Sequence, residues 1–208
     1  MLPPPPLLVI SDRHQARRPL EEVAAAAFAG GCRWFSLREK DLPSEERRGL
    51  LAALVALGRR WGAVVTAHDD IEAVAAVGAG GVHLPSGGSP AAARARLAGA
   101  LIGASAHSAD EASALLRAGA DYVTLSPVFI TLSKPGYGPA LGLDGLARIV
   151  AQVPGDIVAL GGITPENAAA CLAAGARGIA VMGEVMRAAD PQATVEYILR
   201  IMNSPLLL

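Results

Sequence analysis

Arg38 and Lys40 stand two apart in the segment LREKD. Residues at that spacing in an extended chain project to one side, where two cations can grip one anion. The plainer reading is a pair of solvated charges balanced by Glu39 and Asp41. In AHDD, His68 adjoins Asp69 and Asp70. An imidazole beside carboxylates can take and return a proton, and Asp69 or Asp70 can hold a divalent cation. Asp70 also reads as the acid that a helix N-terminus attracts through its dipole. Ser105 and His107 lie together in ASAHS, the serine as a substrate contact and the histidine either as a second acid and base or as part of a helix cap around Ser108. His83, inside the apolar run GVHL, reads as a satisfied core side chain. None of the four histidines has a partner at the helical spacing of metal ligands, which argues against a histidine zinc site.

Three further segments are rich in groups that hold anions. Residues 126–142, SPVFITLSKPGYGPALG, carry three prolines and a single charge, Lys134, and read as a lid that brings Thr131, Ser133 and Lys134 to a ligand. GGIT opens with Gly161 and Gly162, and VMGEV contains Met182 and Gly183. Glycine turns that lead into helices leave backbone amides free to close on a phosphate, and two such turns side by side make an anion site. The small-residue loop HLPSGGSP, residues 83–90, offers free amides of the same kind.

To act together, these segments must be brought to one place by the elements that precede them. Each follows one of eight short apolar runs, LLVIS, WFSLR, AVVTA, GVHL, LIGAS, DYVTL, DIVAL and GIAVM. Between the runs lie stretches such as SEERRGLLAALVALGRR, whose apolar residues recur every three or four positions as amphipathic helices require. Four helices run through glycine straight into a strand, at Gly30, Gly78, Gly119 and Gly175, separated by 48, 41 and 56 residues. Each separation is close to two strand–helix units, so the repeat points to an eightfold parallel (β/α)8 barrel, the TIM barrel. An open doubly wound sheet would carry an early glycine fingerprint, where this chain reads SDRHQARRPL. Ser44, Ser89, Ser108 with Glu111, and Thr164 stand where helix N-caps belong. In such barrels the chemistry sits at the carboxyl ends of the strands, where all the segments above fall.

With 208 residues, 52% of them apolar, the chain reads as a single domain over residues 1–208, residues 1–6 forming a proline-rich N-terminal extension. Eighteen Lys and Arg against 19 Asp and Glu leave no one-signed surface for a phosphate backbone, so nucleic acid is not an expected partner. MLPPPPLL has four prolines and no basic start, unlike a signal peptide or membrane helix. Cys32 and Cys171 are in no ligand spacing and read as small apolar residues. The expectation is a cytoplasmic protein that acts on small molecules away from membranes, with assembly of identical chains left open.

The sequence resembles the thiamine phosphate synthase and thiazole tautomerase family from about Leu7 to Asp190. The likeness is carried by LREK (37–40), GVHL (81–84), GASAHS (103–108), DYVTLSPVFITLSK (121–134), GGIT (161–164) and GIAVM (178–182), in family order and spacing. For the synthase branch, the resemblance implies joining of a hydroxymethylpyrimidine diphosphate to a thiazole phosphate, with magnesium bridging the diphosphate through two aspartates. Asp69 matches the first, and the second falls on Gly88. Ser36 stands where synthases usually have glutamine, and His68 where they have asparagine. The matches at Thr131, Ser133, Gly161, Gly162, Met182 and Gly183 resemble the thiazole phosphate half of the site, while the LPSG loop resembles the tautomerase branch. That branch isomerises a carboxylated thiazole phosphate by proton transfer without metal, its usual histidine being Pro127 here. The resulting expectation is a tautomerase-like enzyme with His68, His107 and Lys134 catalytic and Arg38, Lys40 and Ser105 binding substrate. The alternatives are the magnesium-dependent synthase and a non-catalytic thiazole phosphate binder.

Overall fold

The computed structural model describes residues 1–131 and 138–203. Eight strands alternate with helices: β1 (Leu7–Ile10), α1 (Leu20–Ala29), β2 (Trp34–Leu37), α2 (Ser44–Arg59), β3 (Val64–His68), α3 (Ile71–Val77), β4 (Gly81–Leu84) and α4 (Pro90–Arg96) make the first half. The second half is β5 (Leu101–Ala106), α5 (Ala109–Arg117), β6 (Tyr122–Leu125), α6 (Gly142–Gln152), β7 (Asp156–Leu160), α7 (Pro165–Ala173), β8 (Gly178–Val181), the single turn α8 (Gly183–Met186) and α9 (Pro191–Asn203). Every strand pairs in parallel with its sequence neighbours and β1 closes onto β8, so the sheet is a closed (β/α)8 barrel.

Strand alternation divides the apolar residues into two cores. Leu7 and Val9 of β1 point outward with Phe35, Val65, Ile102, Val123 and Ile179 into the layer packed by helices. Leu8 and Ile10 point inward with Trp34, Tyr122, Val158 and Ala180 to fill the barrel. Strands buried on both faces read as continuous apolar runs, which is why eight of them were visible in the sequence. Leu2 joins the inner cluster and the Pro6 carbonyl accepts from the Ile179 amide, so the proline-rich segment packs at the barrel's amino end through these two residues.

The expected helix boundaries need two corrections. Ser44 is the first helical residue and Pro43 stands at the cap, whereas Ser89 and Ser108 do cap, accepting from the Ala92 and Glu111 amides. The left-handed residue after α1 is Gly31, at φ 102°, and not Gly30. Gly30 is required for a different reason, because a Cβ there would lie 2.6 Å from the Gln192 carbonyl oxygen of α9. Among the described residues, no helix is long and apolar enough to cross a membrane.

Candidate active site

A cavity of about 340 Å³ opens at the carboxyl ends of the strands. Its wall includes Arg38, Lys40, His68, Ser105, His107, Thr131, Gly161, Gly162, Met182 and Gly183, residues brought by six different strands. Arg38, His68, Ser105, Thr131 and Gly162, far apart in sequence, therefore converge on one mouth as expected. Ser133 and Lys134 lie outside the described residues. Asp69 is absent from the cavity wall; it takes a left-handed φ of 54° and donates its amide to the His83 carbonyl.

The segment after β2 alternates as an extended chain must. Arg38 and Lys40 face the cavity while Glu39, 2% exposed, turns the other way. Its carboxylate accepts from the Ser11 hydroxyl at 2.6 Å and from the Arg13 amide and guanidinium at 3.2 and 3.1 Å. Ser11 in turn accepts from the Arg38 amide at 2.8 Å. Arg13 also forks onto Asp41 at 2.6 and 2.7 Å, and together with His14 it holds the Asp41 carboxyl well below the usual carboxylate range. The loop after β1 thus clamps the backbone on which Arg38 and Lys40 ride. Glu39, in the sequence only a neighbouring charge, is the residue that anchors them.

His68 and His83 occupy register-matched positions on β3 and β4, and their rings stack with centroids 5.5 Å apart and planes at 30°. Both line the cavity, so His83 is a satisfied buried residue and also part of the site floor. Burial pushes its pKa down to about 4, with the fields of Arg38 and Lys40 acting in the same direction. His107 donates from Nδ1 to the Ser126 carbonyl at 2.7 Å. Its amide binds the Glu111 carboxylate at 2.8 Å, so Glu111 reaches one residue beyond the Ser108 position of a regular capping box.

At β7 and β8 the two glycine turns form one end of the cavity. The Asn167 side chain fixes the first, accepting from the Thr164 amide and donating to the Gly162 carbonyl, both at 2.9 Å. Gly162 has φ 63°, and a Cβ on it would lie 2.5 Å from the Ile130 carbonyl oxygen and 2.8 Å from the Phe129 Cβ. Valine at this position would strain the backbone and press on Phe129 and Ile130. At the second turn, Arg187 lies four residues beyond Gly183, and helical side chains lean toward the N-terminus, so its guanidinium folds back over Gly183. Gln15 accepts from this guanidinium, whose side chain also lines the cavity. Arg187 was missed in the sequence, although a basic residue four positions after an anion-turn glycine is a readable signal.

Among the described residues, the aspartates expected to hold magnesium reduce to Asp69. Gly88 has no side chain to offer, and Asp70 is committed elsewhere: it caps α3 by accepting from the Ala73 amide at 2.9 Å and pairs with Arg47 at 2.7 Å. Among the described residues, no group of three or more His, Cys, Asp or Glu is placed to hold a metal ion.

The thiamine monophosphate synthase family model matches residues 7–185, a span that includes every strand and both glycine turns. The chain belongs to that family. It is 40% identical over 199 residues to a putative thiamine-phosphate synthase of Geobacter sulfurreducens, covering 94% of this chain and 93% of that one. It is 36% identical to a thiamine-phosphate synthase of a Roseiflexus species, covering 95% and 85%. A thiamine phosphate pyrophosphorylase from Pyrococcus furiosus has the same fold with a TM-score of 0.85 and 34% identity, covering 94% of each chain. The first two carry the thiamine-phosphate synthase name and the third that of a thiamine phosphate pyrophosphorylase, which supports the coupling alternative better than the tautomerase-like expectation drawn from the LPSG loop and His68.

Proposed function

We propose that this family member is a thiamine phosphate synthase, which joins a hydroxymethylpyrimidine diphosphate to a thiazole phosphate and releases diphosphate. The observation that carries the reading is a single cavity lined by the paired glycine turns of β7 and β8 and also by Arg38 and Lys40 after β2, two groupings whose chemistry suits anions. Coupling two phosphorylated substrates needs two such regions. In this reading the thiazole phosphate is held by amides around Gly161, Gly162 and Gly183, with Thr131 beside them. The diphosphate faces Arg38 and Lys40.

As the carbon–oxygen bond to diphosphate breaks, negative charge grows on the leaving oxygen, and fixed cations that meet it there lower the barrier. Arg38 and Lys40 do this from a backbone clamped through Ser11 and Glu39, so little reorganisation is needed at the moment of reaction. Lys134 belongs to the same role in this proposal, as the one charge of the lid. His68 and His107 form part of the cavity wall, and in this proposal Ser105 offers a hydroxyl to the bound substrates. Magnesium, implied by the family resemblance, finds at most Asp69 on this chain, and no step is assigned to it.

The test supplies thiazole phosphate with and without pyrimidine diphosphate and identifies the product by mass. Thiamine phosphate formed only with both substrates supports the proposal, and conversion of a carboxylated thiazole phosphate alone to its aromatic isomer would replace it with the tautomerase reading.

A further inference from the structure

Beneath the cavity floor lies a chain of polar groups that neither anion region uses. The Tyr122 hydroxyl is 3.0 Å from His83 Nδ1, and His83 Nε2 is 3.0 Å from Ser105 Oγ and 3.3 Å from Thr124 Oγ1. Tyr122 and Thr124 are fully buried and His83 is 5% exposed. Gly103 leaves the space the phenol needs, since a Cβ there would overlap the Tyr122 ring.

The direction of these hydrogen bonds follows from the inventory of donors. A buried phenol must give its proton to an acceptor. Among the described residues, the acceptor within reach of the Tyr122 hydroxyl is His83 Nδ1. A nitrogen that accepts from Tyr122 is unprotonated, and a neutral imidazole carries one donor and one acceptor. With Nδ1 accepting, the ring proton sits on Nε2 and points to Ser105, the nearer of its two hydroxyl neighbours. Ser105 Oγ then accepts from below, and its own proton is left to point into the cavity that Ser105 lines.

We propose that Tyr122 and His83 are positioning residues that fix the polarity of Ser105, making it a hydrogen-bond donor to substrate, so that the substrate atom seated against it is an acceptor. The substrate consequence rests on the cavity being the coupling site; the direction of the relay does not. The relay also gives β4 and β6 a part in substrate selection, since a substrate presenting an N–H or O–H at this point meets a hydroxyl turned the wrong way.

The test has two readouts. Two-bond proton–nitrogen spectra of the enzyme labelled with ¹⁵N-histidine report which ring nitrogen carries the proton, and His83 is expected as the Nε2–H form throughout pH 6–8. Kinetics then compare His83→Leu with His83→Gln, whose amide oxygen can accept from Tyr122 while its nitrogen donates to Ser105. His83→Leu is expected to raise KM for one substrate about tenfold, and His83→Gln to recover at least fivefold of that loss. His83 found as the Nδ1–H form overturns the relay, as does a glutamine variant no better than leucine. Should His83→Leu not fold, the tautomer and the KM of His83→Gln against the parent decide the question, a tenfold rise in the latter counting against the relay. A parent enzyme that shows the Nε2–H form but makes no thiamine phosphate refutes the coupling reading alone.

Discussion

Gly183→Ala separates the charge of Arg187 from its position. The added Cβ would lie 2.5 Å from the Arg187 Cζ, about 1 Å inside the usual carbon–carbon contact distance of ~3.5–4.0 Å. The guanidinium has to retreat by about that much, which stretches an N–H···O contact from about 2.9 Å to about 3.9 Å, beyond hydrogen-bonding range. Gly183 does not have a positive φ, and alanine favours helix over glycine by about 1 kcal/mol, so the fold is retained. A lost hydrogen bond to a charged group costs about 1.5–3 kcal/mol, which corresponds to about 10- to 150-fold in Kd. Calorimetric titration with thiazole phosphate is expected to show that loss, with affinity for the dephosphorylated thiazole alcohol unchanged. A folded variant that binds thiazole phosphate as tightly as the parent would refute the premise of this prediction, that Arg187, lying over Gly183 in the cavity wall, reaches the phosphate proposed to sit there, and equal losses for phosphate and alcohol would refute the assignment of this end of the cavity.

Three other outcomes follow from His83, Glu39 and His68. Because His83 is held neutral, its folded pKa of about 4 lies below the ordinary 6.5. The stability it contributes is complete above pH 6.5 and lost as pH falls toward 4, at most about 3 kcal/mol. Urea midpoints at pH 7 and 4.5 should show that dependence in the parent, reduced in His83→Gln, with Arg38, Lys40, His68 and Tyr122 unchanged around it; identical slopes in the two proteins would contradict it. Glu39→Gln puts an amide N–H against the donors of Arg13 or Ser11 and should cost about 1–3 kcal/mol in chemical denaturation while raising KM for the diphosphate; unchanged values for both would remove Glu39 as the anchor of the cations. His68→Asn should leave coupling within about threefold of the parent, since the proposed coupling draws on His68 for packing against His83 and not for proton transfer; a hundredfold loss of kcat would restore His68 as an acid and base.

The fold was legible because its signals are local. Apolar runs such as DYVTL mark strands buried on both faces, and the spacing of the helix-ending glycines counts the units. The cavity wall was legible for a related reason: barrel chemistry follows the strand ends, so LREK, GASAHS, GGIT and VMGEV could be picked out from position in the chain. What escaped depends on pairings across the closed barrel. Glu39 looked like a solvated charge until Ser11 and Arg13 arrived from a loop 26 to 28 residues earlier. Asp70 reads equally well as a metal ligand or a cap until Arg47 is seen beside it. His83 looked like core because half of its role is core; the other half appears only when β5 sets Ser105 against it. The intolerance of Gly162 to a larger side chain arises from Phe129 and Ile130, more than thirty residues away in sequence.

The central claim is that two phosphorylated substrates meet in this cavity and one gives up its diphosphate. Phosphorus-31 spectra of the purified protein with both substrates and magnesium, followed in a single tube, test it most directly. The account predicts that free diphosphate grows as the pyrimidine diphosphate signals fade, in step with a new phosphate monoester that elutes and weighs as thiamine phosphate. Pyrimidine diphosphate signals that stay constant over many turnovers' worth of time, while a carboxylated thiazole phosphate is isomerised by the same preparation, would contradict it.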